Sequence, residues 1–144
     1  MIESPAQATL PQVSRRVRRL IVLGYGFTTL LWLQLEDNHV LPVTLLGLAG
    51  VTLLGIFWAL SKFGGSALPL RIVVLGVMLL GALIGVGTAL ATALLMLFKT
   101  GMHAHLFPDY PPGLMIATLQ RAPLWGLAGA LAGLGLALLW LATR

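Results

Sequence analysis

The chain contains no cysteine and few charged residues. None of its 144 residues is Cys, and only 9% are Asp, Glu, Lys or Arg. Without thiols, the chain cannot form disulfides, iron–sulfur clusters, a thiol nucleophile or a covalent haem attachment. About a quarter of the residues in an average soluble domain are charged. Here 58% of the residues are hydrophobic, with too little polar surface to cover them, so we predict an integral membrane protein.

Acidic residues are even scarcer than basic ones. Four Asp and Glu stand against nine Lys and Arg, which gives a formal net charge of +5. In a soluble protein such an excess would suggest nucleic-acid binding. The basic residues here flank apolar runs and do not alternate with aromatic residues, so no nucleic-acid partner is expected. Charges in these positions orient helices in a membrane.

Long hydrophobic runs predict the architecture. A helix rises about 1.5 Å per residue, so about 20 apolar residues cross a hydrocarbon core of about 30 Å. The sequence predicts an all-α, integral membrane four-helix bundle with up-down-up-down order. Its spans are expected at about 20–35, 40–60, 72–98 and 124–141. Residues 1–14 are expected to form a flexible cytosolic tail and residues 15–144 one transmembrane domain. A short interfacial helix is expected at about 114–120, before the last span.

The distribution of basic residues predicts the orientation. Seven of the nine fall on one predicted side of the membrane: Arg15, Arg16, Arg18, Arg19, Lys62, Arg71 and Arg144. Only Lys99 and Arg121 fall on the other side. The positive-inside rule then places both termini in the cytoplasm, and the expected location is a bacterial inner (plasma) membrane. The tryptophans are expected to form aromatic belts, with Trp32 and Trp125 at the outer interface and Trp58 and Trp140 at the inner one.

Small residues recur every four positions on the last two long runs. The third run carries Gly81, Gly85, Ala89 and Ala93, and the fourth carries Gly129, Gly133 and Ala137. Small side chains let helix backbones approach closely in lipid. We therefore predict that these two helices cross through these faces. Glycine and alanine are also common in membrane spans, and the stripes could instead face another protein.

Ionisable residues are missing from the middle of every predicted span. Ions and protons that cross a membrane usually need such groups, which are costly there and are kept for function. Small four-helix multidrug transporters are similar in size, but their membrane-embedded glutamate has no counterpart here. A transporter, a pump or an intramembrane redox enzyme acting alone is therefore disfavoured, and no enzymatic activity is expected.

One segment carries polar groups suited to ligand binding: KTGMHAHLFPDYPPG, from Lys99 to Gly113. His103 and His105 are one residue apart, so their imidazoles point the same way in an extended segment. Asp109 follows in the same loop, and His39 lies in the first outer loop. Imidazole and carboxylate groups are ligands for zinc or copper. The predicted metal set is therefore His39, His103, His105 and Asp109.

The same loop supports two other interpretations. Its imidazoles, combined with nearby cations, could bind a lipid headgroup, a quinone carbonyl or a pigment. The predicted cofactor-binding set is Lys99, His103, His105 and Arg121, and the sequence does not name the cofactor. The simplest interpretation, which we favour, is that the histidines are solvated or bonded to a partner chain.

These patterns favour a non-catalytic accessory subunit of a larger membrane complex, of respiratory or photosynthetic type. Membrane lipids and either other membrane subunits or further copies of the chain are the expected partners. One alternative is a small metal- or cofactor-binding membrane protein that uses the outer histidine loop. A second is an oligomeric channel or carrier in which Thr88 and Thr92 line a path.

Overall fold

Five helices account for most of the residues that the structure describes. The computed structural model describes residues 7–9, 11, 13–36, 38–103 and 108–143. The helices are α1 (Arg15–Gln34), α2 (Val40–Phe63), α3 (Leu70–Met102), α4 (Pro112–Gln120) and α5 (Ala122–Ala142). Two three-residue strands, β1 (Gln7–Thr9) and β2 (Ala67–Pro69), complete the described elements.

Three of the helices, α2, α3 and α5, are long and apolar enough to cross a membrane. They identify the chain as a membrane protein. α1 is more polar because its first five residues include four arginines. Its apolar part begins only at Leu20, which leaves 15 residues, or about 22 Å of helix, before the helix ends at Gln34.

The helix ends follow local sequence signals. At the start of α1, the side-chain oxygen of Ser14 accepts a hydrogen bond from the backbone N–H of Val17 at 3.3 Å, as an N-cap residue does. Prolines occupy the first turns of α4 and α5, where a missing N–H removes no helical hydrogen bond. α2 ends at Phe63 with Gly64 as its C-cap residue, and Gly65 follows with a φ of 81°. Glycine suits this left-handed turn because it has no Cβ.

Part of the N-terminal segment forms a short strand. Residues 7–9 pair in antiparallel register with residues 67–69. Ala8 lies opposite Leu68 in this pairing. The turn after α2 runs in extended form towards Pro69, and pairing satisfies backbone groups that would otherwise need water. The pairing ties the beginning of the chain to the connection between α2 and α3.

α3 lies between α2 and α5 and packs against both. On the α2 side, a Cβ placed on Gly47 would lie 2.7 Å from the hydroxyl oxygen of Thr92, and one on Gly55 would lie 3.1 Å from Leu80. The later residue of α2, Gly55, contacts the earlier residue of α3, Leu80, so the two helices are antiparallel. Thr92 is fully buried in this contact.

On the α5 side the two backbones touch. A methyl group on Gly81 would overlap the carbonyl oxygen of Gly129, and one on Gly85 would overlap the carbonyl oxygen of Trp125. A methyl on Gly133 would in turn crowd the carbonyl oxygen of Val77. These positions belong to the two predicted small-residue stripes. Their other members, Ala89, Ala93 and Ala137, are all buried.

The short helix expected at about 114–120 is observed as α4, which runs from Pro112 to Gln120. It packs against the last turns of α3, and its Thr118 is buried. Arg121 separates α4 from α5 with helical dihedral angles, φ −81° and ψ −6°. α4 and α5 together therefore follow α3 along most of its length. An interfacial location for α4 stays a prediction.

A cluster of buried apolar residues lies at the C-terminal end of α3. Its members are Trp32, Leu33, Val43, Met96 and Tyr110, with Leu114 and Met115 of α4 packed against them. The 33 residues of α3 make about 50 Å of helix, well beyond a hydrocarbon core of about 30 Å. The cluster gathers the C-terminal end of α1, the first turn of α2 and the last turns of α3.

Candidate functional site

Lys99 is fully buried at this end of the molecule, with 0% of its surface exposed. It lies on α3 three residues after Met96 and seven after Thr92, so the three side chains share one helix face. The same face of α3 packs against α2 at Thr92, and Lys99 is buried because it lies on that face. We call Lys99 together with the cluster Trp32, Leu33, Val43, Met96 and Tyr110 the α3 cap.

Trp32 of α1 covers the ammonium group of Lys99. The Lys99 Nζ atom lies 4.3 Å from the centroid of the indole ring and donates a hydrogen bond of 3.5 Å to the Trp32 carbonyl oxygen. A cation over the face of tryptophan is attracted by the negative π face, most strongly when water is excluded. Burying a charge is costly without such partners. The contact therefore links the end of α1 to the end of α3.

The burial of Trp32 corrects its predicted role. The sequence places it in an aromatic belt that faces the lipid headgroups, but only 5% of its surface is exposed. Its indole nitrogen, which has no hydrogen-bond partner among the described residues, is buried as well. Trp58, by contrast, is 57% exposed, as a belt residue would be.

Tyr110 connects the loop after α3 to the rest of the α3 cap. Its side chain is fully buried, and its hydroxyl donates a hydrogen bond of 3.2 Å to the carbonyl oxygen of His39. Its backbone N–H donates a hydrogen bond of 3.2 Å to the hydroxyl oxygen of Thr100. The loop is therefore attached both to α3 and to the residue that precedes α2.

His103 and Asp109 meet across the same loop. The His103 Nδ1 atom lies 2.7 Å from the Asp109 Oδ2 atom, and the two side chains are 23% and 19% exposed. His103 is also the C-cap residue of α3, and its backbone N–H donates the last helical hydrogen bond, to the carbonyl oxygen of Lys99 at 3.1 Å. The contact links the C-terminal end of α3 to the segment that precedes α4.

The structure brings together only part of the predicted ligand sets. Of the metal set, His103 and Asp109 are in contact, His39 is exposed, and His105 lies outside the described residues. Within the described ranges, no group of three or more His, Cys, Asp or Glu side chains is placed to hold a metal ion. Of the cofactor-binding set, Arg121 is exposed at the junction of α4 and α5. Both ligand sets stay predictions.

Sequence patterns do not assign Trp32 or Tyr110, the two aromatic residues of the α3 cap, to a buried site. Tyr110 follows directly after Asp109, but an isolated tyrosine among prolines has no periodic signal. The burial of Lys99 does have a periodic signal in the sequence. Ala89, Thr92 and Met96 lie on one face of α3, and the next position on that face, three residues after Met96, is Lys99. Its position just beyond an apolar run suggested a solvated interface residue instead.

A groove along α1 is the other large feature. Its widest part, about 1030 Å³, lies between α1, α2 and α3 and is lined almost entirely by apolar atoms. Tyr25 forms one wall, and its hydroxyl donates to the Leu46 carbonyl oxygen at 3.1 Å. α1 touches α2 at Gly50, where the Tyr25 hydroxyl occupies the space of a Cβ, but does not pack closely along its length. Part of α1 therefore stays separated from the other helices.

Comparisons of the chain with protein-family models, with curated proteins and with solved structures find no match.

Proposed function

We propose that α1 is a fourth membrane span and that both termini lie on the cytoplasmic side. α1 runs antiparallel to α2: Arg18 shares a hollow with Leu60 near the end of α2, while Leu33 shares a buried cluster with Val43 near its start. The apolar part of α1 and the arginines before it fit a span with a cytoplasmic N-terminus. A bacterial inner membrane is the proposed location.

We further propose that the chain is a non-catalytic accessory subunit of a larger membrane complex. The observation that carries this proposal is the use of polar groups in the α3 cap. Lys99 and Tyr110 are fully buried, and their described contacts join helix ends to one another. Catalytic groups, in contrast, need access to a substrate. Meanwhile the outward faces of α3 and α5 are rows of exposed leucines, suited to lipid or to partner helices.

The channel alternative gains no support from the two threonines. Thr88 is buried and donates its hydroxyl to the Ile84 carbonyl oxygen at 2.7 Å. Thr92 is covered by Gly47 of α2. A path lined by both residues would need α2 to move away from α3. For the metal-binding alternative, the close pair of His103 and Asp109 is the supporting contact.

Purification in mild detergent tests the proposed role. We expect a tagged chain extracted from its native membrane to carry at least one other membrane protein in stoichiometric amount. The purified chain alone should contain no stoichiometric metal and should produce no ion flux in liposomes. Metal that is lost in the His103→Ala variant would instead favour the metal-binding alternative. Flux through the pure protein would favour a channel or carrier.

A further inference from the structure

The groove along α1 continues to the arginine-rich end of the molecule. Beyond its widest part lies a hollow of about 380 Å³ between α1 and α2, and the two share Tyr25, Gly50 and Leu54. A third hollow, about 240 Å³, shares Phe57 and Ser61 with the second. The groove therefore leaves α3 and continues between α1 and α2 to the first turns of α1.

The chemistry of the groove changes along its length. The first two hollows are almost entirely apolar, whereas most of the accessible surface of the third is polar. Arg18 lines the third hollow together with Ser61, and Arg18 and Arg19 line a fourth hollow beside it. The groove is therefore amphipathic, with a long apolar part and a short cationic end.

Basic residues cluster where the start of α1 meets the end of α2. Four arginines lie in the first five residues of α1, and Lys62 lies in the last turn of α2. Of the acidic residues that the structure describes, Glu36 follows the opposite end of α1 and Asp109 lies in the loop after α3. The N-terminus of α1 adds the positive end of a helix dipole. This end attracts a phosphate group.

We propose that the groove binds one anionic phospholipid from the cytoplasmic leaflet. Its phosphate lies at Arg18 and its acyl chains follow the hollows past Tyr25 towards α3. This inference deepens the proposed membrane role and rests on α1 being a membrane span. A second copy of the chain fits less well, because copies in one membrane share an orientation. Their arginine-rich ends would then meet, and like charges repel.

Lipid titration of the purified protein tests this inference. Phosphatidylglycerol and phosphatidylcholine with the same two oleoyl chains are added to protein purified and delipidated in detergent, and bound lipid is counted by native mass spectrometry. We expect one phosphatidylglycerol per chain, bound at least fivefold more tightly than phosphatidylcholine. Arg18→Gln should weaken this binding about fivefold, since one basic residue near an anionic surface contributes that much. Arg16→Gln removes the same charge outside the four hollows and should have a smaller effect.

A second pair of variants tests the apolar part. Ala91→Trp fills the widest hollow, which Ala91 lines, and should reduce phosphatidylglycerol binding at least tenfold. Leu90→Trp adds a tryptophan on the neighbouring, outward-facing position and should leave binding unchanged. Equal affinity for the two lipids, or equal effects of Arg16→Gln and Arg18→Gln, would overturn the proposal. So would a Leu54→Cys variant that crosslinks to a second copy and excludes the lipid.

These measurements use the isolated chain, so they separate the two proposals. If the chain showed no lipid selectivity, the lipid proposal would fail, but the co-purification of a partner protein would still support the accessory role. Absence of a partner would not alter the lipid result.

Discussion

Gly85→Ala is expected to lower the free energy of unfolding by about 3 kcal/mol, although it adds a single methyl group. The methyl would overlap the carbonyl oxygen of Trp125, and the backbone nitrogen of Gly126 lies close by. Both obstacles are backbone atoms, which cannot rotate away as a side chain can. α3 and α5 must separate, and overpacking of this kind typically costs about 1–3 kcal/mol or more. Equilibrium unfolding in mixed detergent micelles measures the change.

Gly76→Ala is the matched control on the same helix. A Cβ at Gly76 meets nothing within 4 Å, so the substitution adds no clash. Alanine is favoured over glycine in a helix by about 0.5–1 kcal/mol, and this variant should be slightly more stable than the unmodified protein. The two substitutions are chemically identical but are expected to have opposite signs. A neutral or stabilising effect of Gly85→Ala would show that the backbones of α3 and α5 do not touch at this position.

Trp32→Ala is expected to destabilise the protein by about 3–5 kcal/mol, as removal of a buried tryptophan does. The substitution leaves a cavity beside Leu33 and Met96 and takes away the ring that covers the Lys99 ammonium group. α1 should then detach first, because Trp32 provides much of its buried contact with the other helices. Unfolding in mixed micelles, followed together with protease access to α1, measures both effects.

Two control variants and a double-mutant cycle separate packing from the interaction with the charge. Trp58→Ala removes an exposed ring whose described aromatic contact is an edge-on pair with Phe63, and it should cost about 1 kcal/mol or less. Trp32→Phe keeps an aromatic face over Lys99 and should cost less than Trp32→Ala. A double-mutant cycle of Trp32→Leu with Lys99→Met should give a favourable coupling energy of about 1–2 kcal/mol. Zero coupling would show that Trp32 acts through packing alone.

Hydrophobic patterning was sufficient to locate the long helices. The span predicted at 40–60 is observed as Val40–Phe63, and the one predicted at 72–98 is observed as Leu70–Met102. The observed helices are longer because polar and charged residues such as Lys62 and Lys99 continue the helix past the apolar run. Hydropathy finds the part of a helix that suits lipid, whereas backbone hydrogen bonding decides where the helix stops.

The candidate site was harder to predict because it depends on contacts between distant parts of the chain. Lys99 and Trp32 are 67 residues apart, and Tyr110 and His39 are 71 apart. Metals favour imidazole, so the sequence pattern points to the loop histidines, whereas the polar contacts of the α3 cap come from a lysine and two aromatic residues, Lys99, Trp32 and Tyr110. The pairing of residues 7–9 with 67–69 is equally long-range, and a three-residue strand has no periodicity to detect.

Site-directed labelling tests the central claim, that the chain crosses lipid four times with its arginine-rich end in the cytoplasm. The sequence has no cysteine, so single cysteines at Val13, Pro108 and Thr143, all exposed, can be labelled without background. A membrane-impermeant maleimide added outside intact cells should label Pro108→Cys alone. Val13→Cys and Thr143→Cys should react only after the membrane is opened. Labelling of Val13→Cys and Thr143→Cys from opposite sides, or of all three from one side, would contradict the account.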